Sequence, residues 1–418
     1  MSKISDPVNH KNIVCPFCSL HCDDISIDVN DNKLSVKSDI LPSCKAKFEK
    51  YNHKNFNNKS CKIKGKDNDS KKTSDYCKKL INRSKETLIL NASSDVNICR
   101  EILSSASKIN GIVDHINSNI FLKNIGIYQR RGYMTTTLTE IKNKSDTIIL
   151  FSNNMLRLYP RLMEIVIATK NSFSTNPKNK KIFVIGNKEN NMKDCNVKDS
   201  RITFIDYNLK NIPLLLESFA NKDNKTKISN HVFNKLLKNV SEAKYLSVLW
   251  STSELINFKE CDQIIYKISE YIISVNETSR AACLSMSGND GDASSIQTTA
   301  WMSGYPTRIK FTGNYFEYDK DAHNSEVLIE SNSIDLVIYI NTISNKKLLL
   351  NKKQKNIVIG QPSTKCNIEP DAFIPCGVPG IDYKGHIFRT DNVVSLPLSA
   401  VKVSKFRSAQ EILREIIK

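Results

Sequence analysis

Val-Cys-Pro-Phe-Cys-Ser-Leu-His-Cys-Asp-Asp, residues 14–24, is the stretch that most restricts the fold of this chain. Cys15, Cys18 and Cys22 are separated by two and three residues, so their thiolates can reach one point. A fourth cysteine, Cys44, follows a polar, turn-rich interval. This spacing is typical of a 4Fe–4S cluster, and a tetrahedral zinc ion accepts the same four ligands. We predict a metal or cluster site here; the alternative is a relic whose thiols act as small buried hydrophobic groups.

The residues after the cysteines predict a small cap. Apolar and polar side chains alternate at 24–29 and again at 33–37, on either side of an Asn-Asp-Asn turn. This pattern indicates a β-hairpin that returns the chain toward the cysteines. Cys44 then precedes a short helical run at 45–49. We therefore assign residues 1–60 to a Cys-rich cap of the iron–sulfur type.

A polar boundary follows the cap. Residues 52–74 are rich in Lys, Asn and Asp and have few apolar side chains, so we predict a surface connection there. Cys61 lies inside this segment and could replace Cys44 as the fourth ligand. We rate Cys61 second because no helical or strand pattern in its flanks would hold it in place.

The size and composition predict a globular protein of two or three domains. Of the 418 residues, 40% are hydrophobic and 25% are charged, which is ordinary for such proteins. No apolar run approaches the roughly 18 residues that a membrane span requires, and Met1–Pro7 lacks the apolar core of a signal peptide. With twelve cysteines and no export signal, we expect a cytoplasmic protein with free or metal-bound thiols.

The chain is strongly basic, with 61 Lys and Arg against 43 Asp and Glu and a formal charge of +18. Such a balance attracts polyanions such as nucleic acid, anionic lipid or an acidic cofactor. The basic residues are mostly Lys beside Asn, and no nucleic-acid-binding motif is recognisable. A solvated, Lys-rich surface explains much of the charge.

Downstream of the boundary, short apolar strands alternate with helical segments, which indicates parallel, doubly wound sheets. The strands are predicted at 87–90, 111–113, 147–151, 181–185, 202–205, 245–250, 336–340 and 356–360. Helices are predicted at 96–109, 155–170, 210–220, 255–272 and 408–417, and a hairpin at 381–398. The polar stretch 221–229 separates two predicted α/β domains, 75–225 and 240–418.

Three polar stretches could line a ligand site. Residues 111–119 bring Asp, His, Asn and Ser to the end of a predicted strand, where α/β folds bind ligands. His115 by itself is better explained as a hydrogen-bonded structural histidine. Residues 132–140 contain a threonine cluster that either lines a polar pocket or caps a helix through a Thr-x-x-Glu pattern. The Gly-rich turn 287–293 is interpreted as an ordinary loop, with an anion-binding nest as the alternative.

Several motifs, taken in order along the chain, resemble the B subunits of formylmethanofuran dehydrogenases, which belong to the molybdopterin oxidoreductase superfamily. The cysteine motif of residues 15–24 is common to the superfamily. The motifs more specific to the family are Cys44 with Lys47-Phe48-Glu49, Gly132-Tyr133 with Thr137-Leu138-Thr139-Glu140-Ile141-Lys142-Asn143, Arg157-x-x-Pro160-Arg161, Trp301-x-x-Gly304-Tyr305-Pro306 and Gly377-Val378-Pro379-Gly380-Ile381-Asp382. The resemblance implies a molybdopterin-oxidoreductase-like α/β fold, with a Cys-rich hairpin cap followed by two doubly wound domains.

One departure from this family bears on the chemistry. In the redox-active members a Cys-His pair precedes Gly-Tyr, and its cysteine binds molybdenum or tungsten. The corresponding position before Gly132-Tyr133 is Ile120-Phe121, and neither side chain can be a metal ligand. The resemblance therefore implies that the molybdenum or tungsten pterin is absent. The residues at 113–118 and 134–140 are similar to the bacterial, methylotroph branch, the formyltransferase/hydrolase complex.

This branch implies a role in one-carbon metabolism, the tetrahydromethanopterin-linked oxidation of formaldehyde to formate. Sister subunits would move a formyl group from formyl-tetrahydromethanopterin to a methanofuran-type carrier and hydrolyse it. This chain would be a scaffold within that enzyme, without catalysis of its own and without nucleic-acid or membrane partners. The alternative is a redox-active subunit with molybdenum or tungsten and a 4Fe–4S cluster. A basic zinc-binding nucleic-acid module is a third hypothesis, which no motif supports.

The resemblance also directs attention to basic side chains, because methanofuran-type carriers have glutamate-rich tails. We predict that several cations beside the family motifs line a groove for this polyanion. The cofactor-binding candidates are Lys123, Arg130, Arg131 and Arg308, with Arg157, Arg161 and Lys310 as further members. The alternative is a set of unrelated surface charges.

Overall fold

The protein is represented by a computed structural model that describes residues 8–53, 59–169, 176, 179–286, 291–313 and 315–418. Its contacts divide the chain into two compact units. The first, here called the discontinuous unit, comprises Met1–Ser118 and Gly288–Lys418. The second, the central unit, is Asn119–Ser287.

The strands form four sheets. In chain order they are β1 (Val8–Ile13), β2 (Ile25–Asn30), β3 (Lys33–Val36), β4 (Cys61–Ile63), β5 (Lys66–Asn68), β6 (Thr87–Ser93), β7 (Ile112–His115), β8 (Thr147–Phe151), β9 (Lys181–Gly186), β10 (Ile202–Asp206), β11 (Tyr245–Trp250), β12 (Arg280–Ser285), β13 (Ile309–Thr312), β14 (Tyr315–Tyr318), β15 (Leu336–Asn341), β16 (Lys355–Gly360), β17 (Ala372–Pro375), β18 (Gly385–Phe388) and β19 (Ser395–Leu398).

Helices connect most of these strands. The α-helices are Pro42–Glu49, Ser70–Arg83, Val96–Lys108, Ser118–Arg131, Leu138–Lys144, Met155–Leu158, Lys188–Asp194, Ile212–Asn221, Asn230–Ser241, Thr252–Leu255, Cys261–Val275, Asp292–Ser303, Ser325–Glu330 and Ala409–Ile416. Met163–Ile167 is a π-helical turn, and Lys50–Asn52 and Leu209–Asn211 are 3-10 turns. In the described ranges, no helix is long and apolar enough to cross a membrane.

A nine-stranded sheet organises the discontinuous unit, in the order β14-β13-β7-β6-β15-β16-β17-β4-β5. The five inner strands are parallel, and both edges are antiparallel hairpins. Every residue of β15 is buried, and its side chains alternate between two cores. Ile338 and Ile340 belong to one core, and Val337 and Tyr339 to the other. Burial on both faces is the pattern of a doubly wound sheet.

The helix Val96–Lys108 shows how the sequence covers one of these faces. Asp95 caps it by accepting hydrogen bonds from the amides of Asn97 and Ile98, which helix N-termini otherwise leave unpaired. Ile102 then packs in the same core as Ile338.

The central unit contains a five-stranded, all-parallel sheet in the order β10-β9-β8-β11-β12. One face packs against helices from the second half of the unit. Phe151 and Trp250 from the sheet share a core with Leu216, Phe233 and Ile268 from three helices. The apolar runs of these strands are explained by this burial.

The predicted cap hairpin is present as β2 and β3, which join β1 in an antiparallel sheet. Contacts with the end of the chain make this sheet part of the discontinuous unit. Asn32 Nδ2 donates to Val403 O at 2.7 Å, and Val403 N–H donates to Asn32 Oδ1 at 3.0 Å. Lys402 Nζ also donates to Tyr51 O at 2.6 Å.

The α/β fold class is confirmed, but the units differ from the predicted segments 1–60, 75–225 and 240–418. The reason is that β6 pairs in parallel with β15, which brings Ile89 opposite Ile338. The polar segment 52–74 also differs from a simple connection, because it contains the edge hairpin formed by β4 and β5. Met1–Pro7 and residues 287–290 of the Gly-rich turn lie outside the described residues.

Candidate functional site

The cysteine loop is a turn whose two ends are hydrogen-bonded to each other. Cys15 N–H donates to Cys22 O at 2.8 Å, and His21 N–H donates to Cys18 O at 3.3 Å. Cys18 and His21 have φ values of 45° and 44°, a left-handed conformation that side chains rarely adopt. These reversals hold Cys15, Cys18 and Cys22 within one small loop.

The pKa of Cys15 is affected by burial and by the other two thiols of the loop. Burial raises the pKa of Cys15 well above its usual value, and the neighbouring Cys18 and Cys22 raise it further. Lys47 opposes these effects and lowers the Cys15 pKa. The Cys15 Sγ lies 3.5 Å from Phe17 O as a hydrogen-bond donor. Cys15 is therefore a protonated thiol at neutral pH, and a bound metal cation would have to displace its proton.

Aromatic packing holds the helix that contains Cys44 against this loop. Phe17 in the loop meets Phe48 in the helix Pro42–Glu49 edge to face, with ring centroids 5.2 Å apart. Phe17 also stacks on Tyr51, with centroids 6.0 Å apart. All three rings are buried, so they fix the helix on the loop.

Among the described residues, the cysteine side chains are not arranged as a complete metal site. Across the ranges that the structure describes, no three His, Cys, Asp or Glu side chains are arranged to hold a metal ion. Cys15, Cys18 and Cys22 share a loop, and Cys44 lies in a helix that packs on it. Cys61, the second choice, begins β4, the inner strand of the edge hairpin. The four-cysteine site stays a prediction.

The motif Gly377–Asp382 forms the predicted turn and packs on the cysteine loop. Gly380 has φ +81°, and a Cβ there would lie 3.1 Å from both Cβ and Cγ of Pro16. Val378 N–H donates to Asp382 Oδ2 at 2.7 Å, which closes the turn. The glycine is therefore required both by the backbone conformation and by close contact with the loop.

A second polar cluster lies at the carboxyl end of β7, within the predicted stretch 111–119. Asp114 Oδ1 accepts hydrogen bonds from Ser118 Oγ at 2.5 Å and Thr307 Oγ1 at 2.8 Å. Its Oδ2 accepts from Ser325 N–H at 2.9 Å and lies 3.6 Å from Arg308 Nε. The cluster is buried, so Asp114 is an ionic hydrogen-bonding centre rather than an accessible base.

His115 has the structural role that its sequence context indicated. Asn117 N–H donates to His115 Nδ1 at 3.0 Å, which places the ring proton of the neutral histidine on Nε2. That nitrogen lies 3.3 Å from Asp292 Oδ1, and Asn117 Nδ2 donates to Asp292 Oδ2 at 2.9 Å. Burial lowers the His115 pKa, although Asp292 and Asp114 act to raise it.

Asp292 is a member of this cluster that the sequence analysis missed. It begins the helix Asp292–Ser303, directly after Gly291. A Cβ at Gly291 would lie only 2.5 Å from Ser94 O, so glycine alone allows the helix start to approach β6 this closely. The acidic residue after a glycine at a helix start was the available signal.

The threonine cluster of residues 132–140 caps a helix. Thr137 precedes the helix Leu138–Lys144, and its hydroxyl accepts a hydrogen bond from Glu140 N–H at 3.0 Å. Thr136 Oγ1 donates to the Glu140 carboxylate at 3.2 Å. The helix-capping interpretation is thus confirmed for Thr137.

Three of the predicted groove cations lie on one helix of the central unit, Ser118–Arg131. Lys123 Nζ lies 2.9 Å from the Asp262 carboxylate, and the Arg131 guanidinium lies 5.5 Å from the Tyr266 ring centroid. Arg130 is exposed, and its Nε donates to Gly126 O at 3.0 Å. Lys123 and Arg131 therefore also serve packing on the helix Cys261–Val275.

The remaining candidates are elsewhere. Arg308 is buried in the discontinuous unit beside Asp114, so its guanidinium does not form part of an exposed groove. Lys310 is paired with Glu86 at 3.1 Å, and the buried Arg161 with Glu164 at 2.8 Å. Arg157 is exposed and donates to Asn154 Oδ1 at 3.1 Å. Each of these cations thus has a nearby partner within its own unit, and the groove stays a prediction.

The position of the family's metal-binding cysteine falls in the first turn of the helix Ser118–Arg131. Ile120 and Phe121 are half-buried there. Both side chains are hydrocarbon and offer no ligand atom to molybdenum or tungsten. These residues do not fit a pterin metal centre of the family's kind.

Comparisons with known proteins extend the resemblance to most of the chain. No protein-family model matches it. The chain is 22% identical over 435 residues to the B subunit of the tungsten-containing formylmethanofuran dehydrogenase 2 of Methanococcus maripaludis, covering 98% of both chains. It is 21% identical over 403 residues to the protein of the same name from Methanocaldococcus jannaschii, covering 92% of both. The chain is thus similar to formylmethanofuran dehydrogenase B subunits over nearly its whole length.

A solved structure shows that the fold is shared as well. The chain matches a chain of the formyltransferase/hydrolase complex (FhcABCD) from Methylorubrum extorquens in complex with methylofuran. The TM-score is 0.69 at 17% identity, and the match covers 86% of this chain and 98% of that chain. The family resemblance inferred from the motifs is confirmed, and so is the fold expected of these B subunits.

Proposed function

We propose that this chain is the B subunit of a cytoplasmic formyltransferase/hydrolase complex and acts there as a non-redox scaffold. The observation that carries the proposal is the fold match to a chain of such a complex, which extends over 98% of that chain. Sister subunits would transfer a formyl group to a methanofuran-type carrier and hydrolyse it to formate. This chain would hold those subunits and the carrier in place.

The chemistry of two residues supports a scaffold rather than a redox role. Catalysis by a molybdenum or tungsten pterin of this family needs a ligand atom at the position of Ile120-Phe121. Hydrocarbon side chains cannot supply it. The relatives named tungsten-containing are similar to this chain in sequence, but their metal chemistry is not part of the proposal.

We propose separately that Cys15, Cys18, Cys22 and Cys44 form a structural metal site, with zinc or a 4Fe–4S cluster as the occupant. The loop that holds three of them and the aromatic contact with the helix of the fourth support this. A cluster would supply a redox centre, and zinc a cross-link between the loop and the helix. Because burial raises the Cys15 pKa, we expect metal binding to strengthen as pH rises.

Contacts with the carrier are the third part of the proposal. Lys123, Arg130 and Arg131 lie on one helix, and the first two are seven residues apart, about two turns. The exposed Arg130 is the best placed of them to meet a polyanionic tail. Arg308 is left out because it is buried against Asp114.

The decisive experiment is co-expression of this chain with its sister subunits. We expect a stable complex that releases formate from formyl-tetrahydromethanopterin only when all subunits are present. Metal analysis of the same sample should show no stoichiometric molybdenum or tungsten. Either metal at one atom per chain would contradict the non-redox assignment, and a fully active complex assembled without this chain would contradict the scaffold role.

The cysteine site has its own test. Iron or zinc should copurify with the wild-type complex and be lost on replacing Cys15 and Cys22 by Ser. The control is replacement of the buried Cys283 by Ser, which lies in the central unit and should leave the metal content unchanged. Wild-type protein without iron or zinc, even after anaerobic purification, would show that the cysteines are a relic.

A further inference from the structure

Each of the two large sheets has one crevice that is the favoured ligand position of its fold class. In an open doubly wound sheet, ligands bind beyond the carboxyl ends of the strands, at the point where the strand order reverses. In the central unit, the order β10-β9-β8-β11-β12 places this crevice between β8 and β11. In the discontinuous unit it lies between β6 and β15. The loops after these four strands therefore decide whether either sheet can accept a ligand.

In the central unit, the carboxylate of Glu254, which follows β11, reaches the loop that follows β8. Its Oε1 accepts hydrogen bonds from Ser152 Oγ at 2.5 Å and from Asn154 N–H at 3.2 Å. Its Oε2 accepts from Asn153 N–H at 2.5 Å. A concave set of successive backbone N–H groups is a common way to bind an anion. Here the anion is a side chain of the protein itself, 102 residues from Ser152 in sequence.

The loop after β8 is also fixed from its other side. Ser152 O accepts from Asn191 Nδ2 at 2.7 Å, and Asn153 Oδ1 accepts from Asn187 N–H at 2.7 Å. Burial raises the pKa of Glu254, whereas the hydrogen bonds from the loop after β8 lower it. These donors therefore favour an ionised carboxylate, as they would favour a bound anion.

The carboxylate is not needed to cap the turn after β8. Ser152 Oγ accepts hydrogen bonds from Met155 N–H at 2.7 Å and from Asn154 N–H at 3.1 Å, so the turn has a local cap. Glu254 is therefore an additional link between the loops of two strands.

In the discontinuous unit, Ser93 closes the corresponding crevice. Ser93 Oγ, at the end of β6, accepts from Ile343 N–H at 3.0 Å and Ser344 N–H at 2.9 Å. The same hydroxyl donates to Asn341 Oδ1 at 2.7 Å, and Ser93 O accepts from Thr342 N–H at 3.0 Å. All five residues are buried. Two successive amides after β15 are thus already paired with a hydroxyl group of the protein.

We propose that Glu254 is a built-in substitute for a ligand anion, and that Glu254 and Ser93 exclude phosphate-bearing ligands from the crevices of both sheets. The inference rests on the proposed function and deepens it, because redox dinucleotides are among the ligands that such crevices bind. These closures involve residues other than Ile120-Phe121, so they support the non-redox scaffold separately.

Hydrogen exchange of the full-length wild-type chain tests both closures. Inorganic pyrophosphate is the probe, and NaCl keeps the ionic strength constant because the chain has a formal charge of +18. Pyrophosphate should slow exchange at the amides of residues 153, 154, 343 and 344 no more than at the buried core residues Ile149 and Ile338. Slower exchange at any of the four amides, relative to these two references, would overturn the proposal.

Chemical rescue by acetate tests the role of Glu254. Glu254→Ala leaves three donors unpaired, so we expect the melting temperature to fall by roughly 3–10 °C. The variant also leaves a space that acetate can fill, so saturating acetate should restore about half of that loss or more. Glu277→Ala is the control, because it removes an exposed carboxylate of the same unit. If Glu254→Ala melts like this control, or if acetate stabilises both variants equally, Glu254 is no substitute for an anion.

Glu254→Gln keeps the side-chain volume and removes the charge. Its melting temperature should lie between those of wild type and Glu254→Ala, and acetate should not raise it. A glutamine variant as stable as wild type would show that no anion is required, even if the alanine variant does not fold. Failure of the wild-type chain to assemble with its sister subunits would instead contradict the proposed function.

Discussion

At the scale of single residues, the discontinuous unit depends on a few buried ionic groups. Asp114 is the clearest of these, because it is buried, accepts three hydrogen bonds and faces the buried Arg308. Removing one partner of a buried pair leaves the other charge uncompensated. The consequence should be a loss of stability rather than of a reaction step.

We therefore predict that Asp114→Asn lowers the free energy of unfolding by about 3–5 kcal/mol, since the Arg308 charge stays buried. Urea unfolding followed by circular dichroism measures this. The control is Asp321→Asn, which removes an exposed carboxylate paired with Lys320 and should change stability by no more than about 0.5 kcal/mol. Equal midpoints for the two variants would show that the Asp114 network contributes no net stability.

A second residue-scale prediction concerns pH. Burial lowers the pKa of His21 to about 4, from an unfolded value near 6.5. The neutral ring is therefore favoured by the folded state, and this contribution is present above pH 6.5 and lost as pH falls toward 4. The full loss is on the order of 3 kcal/mol.

The variant His21→Gln should lack this contribution. We expect the melting temperature of wild type to fall more steeply than that of the variant between pH 7 and pH 4.5. The comparison isolates His21 because the other buried groups, including Asp95 with a pKa raised to about 6 by burial, titrate in both proteins. Parallel melting curves across this range would contradict the assignment.

At the scale of elements, close backbone contacts decide where helices sit against strands. Gly291 and Gly304 flank the helix Asp292–Ser303, and both have positive φ, of 83° and 81°. They differ in their surroundings, since a Cβ at Gly291 would lie 2.5 Å from Ser94 O and one at Gly304 would meet nothing.

Replacing each glycine by Ala therefore separates the energetic cost of the backbone conformation from the cost of the steric contact. Gly304→Ala should cost only the left-handed conformation, roughly 1–2 kcal/mol. Gly291→Ala should cost about 2–5 kcal/mol, because the helix start must also move away from β6. Thermal unfolding of the two variants measures the difference. Similar destabilisation would mean that the backbone at Ser94 moves away from the added methyl group at negligible energetic cost.

The same scale shows what the sequence could predict. Alternation of apolar and polar residues located β2 and β3, and continuous apolar runs located β6, β8 and β15. These signals are local. The pairing of Ile89 with Ile338 joins residues far apart in sequence, and no local pattern specifies it. The hairpin of β4 and β5 was missed because its strands are only three residues long and none of their side chains is fully buried, so no alternating pattern of apolar and polar residues develops.

The site was predictable to a similar degree. Spacing was sufficient to place Cys15, Cys18 and Cys22 in one loop. It could not reveal that Gly380 would meet Pro16, nor that Arg308 would be buried beside Asp114. Such facts depend on tertiary contacts between distant segments, and an isolated basic residue gives no sign of its partner.

At the scale of the whole molecule, the formal charge of +18 is the property most relevant to a polyanionic carrier. Long-range attraction by many cations increases encounter rates and weakens with salt, wherever the cations lie. The groove hypothesis is narrower. It holds that particular cations contribute more to carrier binding than their share of the net charge.

Arg130 and Arg131 allow that claim to be tested. We predict that Arg130→Gln/Arg131→Gln raises the apparent KM for a long-tailed carrier roughly 2- to 30-fold at low salt, since each of the two exposed contacts contributes about 0.2–1 kcal/mol. The effect should shrink at high salt because screening weakens both contacts. The assay is formate release by the assembled complex, with carriers of long and short acidic tails.

Two further variants distinguish a specific contact with the carrier from effects of net charge or of packing. Lys235→Gln/Lys238→Gln removes the same charge from the exposed face of the helix Asn230–Ser241, so an equal rise in KM would assign the effect to net charge alone. Arg130→Lys/Arg131→Lys keeps both charges and a cation beside the Tyr266 ring, so it should behave almost as wild type. If the lysine variant is as impaired as the glutamine variant, the arginines act through packing on the helix Cys261–Val275 and not through the carrier's charge.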